Sequence, residues 1–291
     1  MIQATANRPT CTVRLSGGLG NQLFQYAAGR ALAIRSGARL IMDTSFYWRR
    51  RQRHRELELA KFPVIGDFTQ TPRLGTTIGR IQQHFRQWVG APSVYREPHM
   101  HYDQHIERLA TPVVLNGYFQ SEKYFAACAA EVRQELRIPE PNCPKVLRIG
   151  LEIAASHATA LHVRRGDYVT DPKANSIYAS CSPEYYRRAM DHIEGSGPVY
   201  VFSDDPGWVK ENLRSETRTL VFPAELEPCS AMDDFWLMSK AFHHIIANST
   251  FSWWSAWLAG QKKGTTVAPK AWFRDPSIDD GDLVPENWIR I

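Results

Sequence analysis

The chain has 291 residues, 43% of them hydrophobic and 22% charged, with a formal net charge of +5 from 35 basic and 30 acidic side chains. That length suits one large or two ordinary domains, and the composition is that of a globular protein rather than a disordered or fibrous one. The mild positive charge fits an anionic small ligand and argues against a nucleic-acid partner, and no apolar run is long enough to predict a membrane span or a signal peptide. Five cysteines, odd in number and without a CxxC pair, predict reduced thiols in a cytoplasmic setting rather than disulfides or a zinc site.

Residues 1–9 read as a tail and residues 11–15 as a strand. A glycine-rich turn, Ser16 to Asn21, leads into a helix predicted over residues 22–36, with Leu23, Phe24, Ala27, Ala31 and Ile34 on its apolar face. Gly37 is placed to end it, and residues 39–42 form a second strand closed by Asp43. From Trp48 to Arg55 run five arginines and one histidine, which read either as a solvated face or as a basic loop over an acidic acceptor or a membrane surface. Residues 63–112 lack clean periodicity and predict loops and short helices. A short strand at 113–115 precedes a helix predicted over 123–136, and Pro139, Pro141 and Pro144 mark the best linker.

The second half alternates again. Strands are predicted at 160–163, 198–202, 219–222, 244–247 and 265–268, and helices at 183–193, 208–213, 232–241 and from the polar turn at Asn248 to Gly260. The expected fold is α/β, with two Rossmann-like lobes facing a cleft and divided into residues 1–145 and 146–291.

Three polar turns carry the candidate chemistry. They are Gly17 to Gln22, Arg164 to Asp167, and Asn248 to Ser252, each following a strand. Glycines permit close backbone approach, and a helix start offers N–H groups to an anion. Arg164 and Arg165 can clamp phosphate oxygens through forked, charge-assisted bonds. Ser249, Thr250 and Ser252 can donate hydroxyls or cap their helix. A nucleotide diphosphate is the ligand that suits the set. A dinucleotide is the alternative, with Asp43 on its ribose, but Leu23 stands where the third glycine of GxGxxG belongs. A glycan- or nucleic-acid-binding module using the basic run would leave the three turns without a purpose. Trp253, Trp254 and Trp257 lie at helical spacing and predict core packing, whereas Trp48, Trp88 and Tyr118 are better placed for a sugar acceptor. Asp204 and Asp205 resemble a DxD metal motif only superficially.

Four segments in order, GGLGNQLFQY at 17–26, NGYFQSE at 116–122, HVRRGDY at 162–168 and NSTFSWW at 248–254, resemble the motifs of the bacterial α-1,2-fucosyltransferases of glycosyltransferase family 11. The HxRRxD part is shared with other users of GDP-fucose. The resemblance implies a GT-B-type fold and an inverting, metal-independent transfer of fucose from GDP-β-L-fucose to the 2-hydroxyl of a galactosyl glycan. No cofactor is implied. The acceptor would be a galactose-containing oligosaccharide or a lipid-linked glycan, handled in the cytoplasm or peripherally at the inner face of the membrane.

By the same resemblance the C-terminal lobe holds GDP and the N-terminal lobe most of the acceptor. Arg164 is similar to the diphosphate-binding arginine, and His162 to a residue near guanine or ribose. Asp234 resembles the acid that pairs with guanine. Asn248, Ser249, Thr250 and Ser252 match the diphosphate-side motif, and Gly18, Asn21 and Gln22 the N-terminal turn. Arg165 would support the donor, with Tyr118 and Glu122 on the acceptor side. Arg164, Asn21 and Asp167 are the catalytic candidates. Asp167 is the first choice of general base and Glu122 the second, although Asp167 could instead pin an arginine. A related fucosyltransferase of another linkage is the nearest alternative, and an NAD-dependent oxidoreductase a more distant one.

Overall fold

The computed structural model describes residues 8–48, 56–70, 92–178, 180–260 and 264–291, without the side chains of Asp167 and Lys173. The basic run at 49–55 and Trp88 lie outside the described residues. The chain divides into two compact units, Met1–Leu136 and Arg137–Ile291. Each is α/β with a wholly parallel sheet, as the alternation of elements predicted.

The first unit holds β1 (Thr10–Arg14), α1 (Leu19–Ser36), β2 (Arg39–Asp43), β3 (Asp67–Thr69), β4 (Ser93–Arg96), β5 (Val113–Asn116) and α2 (Ala129–Glu135). Its sheet runs β3-β2-β1-β5-β4. The chain therefore leaves β1 toward one edge and returns on the other side, which makes the carboxyl ends of β1 and β5 a topological switch point. Helix α1 covers this sheet with Leu23, Phe24, Ala27 and Ala28, all buried. It lies so close that a Cβ on Gly29 would stand 3.1 Å from Val13 and Leu40. Gly37 ends it in the left-handed region at φ 63°, as predicted, while Ile34 is 39% exposed and outside the buried face.

The second unit holds α3 (Pro144–Ala155), β6 (Thr159–Val163), α4 (Gly166–Thr170), α5 (Pro172–Ile177), α6 (Pro183–Asp191), β7 (Val199–Ser203), α7 (Pro206–Asn212), β8 (Leu220–Val221), α8 (Pro223–Leu226), α9 (Ala231–Lys240), β9 (His243–Ile245), α10 (Thr250–Leu258), β10 (Thr266–Ala268) and β11 (Ile289–Arg290). Its sheet runs β11-β10-β9-β6-β7-β8, so the switch point lies between β6 and β9. All five residues of β6 are buried, as befits a central parallel strand covered on both faces. Leu161 and Val163 face Tyr186 and Met190, while Ala160 faces Trp236 and Leu237.

Three expectations change. The compact units part after Leu136 rather than at residue 145, because Ile138, Cys143 and α3 all pack on the core of the second unit. The presumed linker contains the start of α3: Pro144 occupies the first turn, where a missing N–H costs nothing, and Val146, Ile149 and Ile153 are buried at helical spacing. The single helix predicted over 123–136 is instead two 3-10 turns, Glu122–Tyr124 and Ala126–Cys128, followed by α2. The backbone leaves helical geometry at Phe125 (φ −134°) and Cys128 (φ −130°), and both side chains are buried. Trp253, Trp254 and Trp257 are core residues, as their spacing predicted.

A charged bridge ties α1 to α2. Arg30 meets Glu135 at 2.7 Å, and the Tyr26 hydroxyl donates to the same carboxylate at 2.6 Å. Glu135 is 7% exposed, so removing it strands a guanidinium in a mostly dry place. Breaking such a pair costs about 3–5 kcal/mol. Glu135→Ala should therefore lower unfolding stability by about 3 kcal/mol in a urea titration, and a loss near zero would contradict the bridge.

Candidate functional site

The second unit gathers its motif residues at the β6–β9 switch point. Arg164 and Arg165 follow β6 directly, and the two aspartates that follow β7 meet them. Arg164 Nη1 lies 2.9 Å from Asp204 Oδ2, and Arg165 Nε lies 3.1 Å from Asp205 Oδ2. The Arg165 backbone N–H also donates to Asp204 Oδ1 at 2.9 Å. Asp205 accepts from the Trp208 backbone N–H as well, which caps α7 and holds its carboxyl below the usual range, with Arg165 adding to the shift. The Arg165 guanidinium lies over the Trp208 ring at 4.1 Å from its centroid. A Cβ on Gly166 would stand 2.6 Å from Asp204 Oδ2, so a side chain there would displace that carboxylate. The superficial DxD pair is thus an arginine clamp. Among the described residues no group of His, Cys, Asp and Glu is placed to hold a metal ion.

Tyr168 donates its hydroxyl to the Asn248 carbonyl at 2.9 Å, joining the loop after β6 to the loop after β9. Asn248 itself serves the fold: it is 1% exposed, donates to the Trp272 carbonyl at 3.0 Å and accepts from the Cys181 thiol. Ser252 is also internal, with its hydroxyl donating to the Ser249 carbonyl at 3.2 Å. These two predicted ligand residues shape the turn, and their side chains are directed into the unit. Ser249 differs. It occupies the N-cap position of α10 but makes no side-chain capping bond, and the first turn of α10 carries no acidic residue. The amide N–H groups of that turn have no intrahelical acceptor, which makes the helix start receptive to an anion.

His162 sits on β6 near the same end, 7% exposed, with its ring 5.9 Å from that of Phe251. Burial, with the nearby Arg164 guanidinium, pushes its imidazole down to about 3, so the ring is neutral at physiological pH. Its Nδ1 is buried without a partner. Phe251 in turn packs on Phe235 at 5.0 Å, which brings the first turns of α9 and α10 together. Asp234 precedes Phe235 there. Its neighbour Asp233 is occupied by a capping box with Ser230, whereas burial, and then the Asp233 charge, push the Asp234 carboxyl up to about 6. A desolvated carboxylate of this kind favours a ligand that donates hydrogen bonds to it. Asp167 lies in the first turn of α4, and its side chain is outside the described residues.

In the first unit, Gly17 takes φ 80° and Gly18 caps α1. Asn21 folds back over this turn: a Cβ on Gly17 would stand 2.5 Å from Asn21 Nδ2. Gln22 is wholly buried and serves the fold, accepting from the Leu59 N–H and donating to the Glu56 carbonyl, both at 2.9 Å. Asp43, the acid of the dinucleotide alternative, accepts from the Ser45 N–H and hydroxyl and lies 4.0 Å from Arg14. Tyr118 is 41% exposed, Trp48 69% exposed, and Glu122 begins a 3-10 turn capped by Ser121.

Several residues at these turns were given no such role from the sequence. Gln25 ties Ser16 to the Gly117 carbonyl, and Gln120 donates to Asn21 Oδ1 at 2.9 Å. Asp204, Asp205 and Trp208 lie far from the arginines along the chain. Only the prediction that β7 neighbours β6 could have found them.

Asp234 generates a test. Because its folded pKa lies above that of a free carboxyl, this group favours the folded state at low pH and its contribution falls away as pH rises from about 4 to about 6. The stability of the wild type relative to Asp234→Asn should decline across that window, measured by thermal melts. A difference independent of pH would contradict the assigned burial.

The chain matches Glycosyl transferase family 11 over residues 1–291. It is 31% identical over 288 residues to an alpha-1,2-colitosyltransferase of Escherichia coli, covering 96% of this chain and 97% of that one. It is 28% identical to galactoside 2-alpha-L-fucosyltransferase SEC1 of Bos taurus, covering 96% and 73% respectively. Among solved structures, the NodZ alpha-1,6-fucosyltransferase soaked with GDP-fucose aligns at 14% identity with a TM-score of 0.49, covering 87% of this chain and 93% of that one. Among the described residues no helix is long and apolar enough to cross a membrane. With its whole length matched and its four motifs in order, this chain belongs to glycosyl transferase family 11.

Proposed function

We propose that the protein transfers L-fucose from GDP-β-L-fucose to the 2-hydroxyl of a galactosyl acceptor, with inversion and without a metal, as a GT-B enzyme. The observation that carries this reading is the pair of aspartate-clamped arginines beside the open start of α10. The donor is assigned to the unit Arg137–Ile291 and the acceptor to Met1–Leu136. Arg164, Arg165, Ser249, Thr250 and the α10 amides hold the diphosphate. Asp234 accepts from guanine, and neutral His162 contacts guanine or ribose. In the unit Met1–Leu136, Gly18 and Asn21 are assigned to a sugar, and Tyr118 and Glu122 to the acceptor.

Inverting transfer requires the acceptor hydroxyl to attack the anomeric carbon opposite the departing GDP. Negative charge then grows on the diphosphate. A guanidinium fixed beforehand stabilises that charge without reorganising during the reaction. Arg164 fills this role, and Asp167 is the base that takes the hydroxyl proton. A second reading is colitosyl rather than fucosyl transfer, favoured by the name of the 31% identical relative. Parallel assays with nucleotide-activated fucose and colitose distinguish the two.

Arg164→Ala should abolish transfer and weaken GDP binding by more than tenfold, since a charged hydrogen bond contributes about 1.5–3 kcal/mol. Near-normal turnover in that variant would refute the assignment. Asp167→Asn separates base from pin. Lost turnover with intact GDP affinity supports a base, and joint loss supports a structural carboxylate. GDP affinity should also fall as pH drops below about 6, where Asp234 becomes protonated, and Asp234→Asn should remove that dependence. Calorimetry across pH 5–8 reads both.

A further inference from the structure

One buried polar atom near the first unit's switch point has no hydrogen-bond partner among the described residues. Gln120 is 3% exposed, and its Nε2 donates to Asn21 Oδ1 at 2.9 Å. Its Oε1 is buried without a hydrogen-bond partner among the described residues. A buried acceptor left unbonded is costly, and native proteins tolerate few of them.

The backbone around Gln120 is held firmly enough to maintain that arrangement. Phe119, just before it, takes φ 55°, a conformation that non-glycine residues avoid. The Tyr118 and Phe119 N–H groups both donate to the Glu97 carboxylate, at 2.6 and 3.0 Å. Gln25 donates to the Gly117 carbonyl at 3.0 Å, and the Ser121 N–H to the Phe119 carbonyl at 2.9 Å. Strain maintained by such a network marks a place where geometry matters more than stability. The turn lies just beyond β5, beside β1, where ligands of open parallel sheets bind.

We propose that Gln120 is a substrate-binding residue whose Oε1 accepts a hydrogen bond from a sugar hydroxyl. The same side chain holds the carbonyl oxygen of Asn21 through its Nε2. The inference rests on the reading of the chain as a sugar transferase. The hydroxyl belongs either to the acceptor or to the transferred sugar, and the two are separable by experiment.

The test compares the wild type with Gln120→Met on a set of acceptors each lacking one hydroxyl, and on donors lacking one fucose hydroxyl. On intact substrates the variant should lose about tenfold in kcat/KM, the size of one neutral hydrogen bond. For one deoxy substrate the wild type and variant should converge to within about twofold, because the partner of Oε1 is already gone. Convergence in the acceptor set identifies an acceptor hydroxyl, and convergence in the donor set a donor hydroxyl. Gln120→Glu keeps an acceptor oxygen and should discriminate against that same deoxy substrate; it carries the test if the Met variant melts early. An undiminished wild-type-to-variant ratio across every deoxy substrate, or no loss at all in Gln120→Met, overturns the inference and leaves fucosyl transfer standing. Failure of the wild type to transfer any sugar overturns the parent reading and this one together.

Discussion

The clamp between the ends of β6 and β7 is the interaction on which the rest depends. Two adjacent guanidiniums at a strand end repel each other and, unrestrained, sample many rotamers. Asp204 and Asp205 supply opposite charge to each, and the Trp208 ring gives Arg165 a flat surface. Exposed ion pairs contribute little to stability. Here Arg164 retains 32% side-chain exposure and Arg165 19%, so the benefit lies mainly in direction: both charges are aimed before any ligand arrives. The missing side chain of Gly166 is part of the same device, because it leaves Asp204 room to approach.

Around that clamp the polar residues divide by what they face. Gln22, Asn248 and Ser252 are buried and bonded to backbone, and they hold turns in shape. Ser249, His162, Asp234 and Gln120 keep groups that the protein itself does not satisfy, either an uncapped hydroxyl, an orphaned ring nitrogen, a desolvated carboxylate or an unbonded amide oxygen. The unbonded buried atoms of His162 and Gln120 are each a small cost that a ligand can offset. The motif turns lie at the two switch points, one in each unit, where loops after neighbouring parallel strands converge.

Much of this was legible in the sequence. The central strands announce themselves as apolar runs ending in polar turns, and the helix-spaced tryptophans as core. The motif turns fall where parallel topology needs its ligand loops. Short edge strands were not legible: β3 and β4 have three or four residues, mostly exposed, and no alternation to read. Helix α3 was hidden by prolines that sit harmlessly before it and in its first turn. Within the motifs, residue type could not separate struts from ligands, because an asparagine or glutamine suits both. Gln22 and Gln120 show the limit, since only their partners in space tell them apart.

The most direct test of the account is a calorimetric titration of the wild type with GDP, UDP and NAD, in buffer containing a metal chelator. The account predicts that GDP binds through the clamped arginines and Asp234, with UDP and NAD at least a hundredfold weaker. Binding of NAD in preference to GDP, or no nucleotide binding at all, would contradict it.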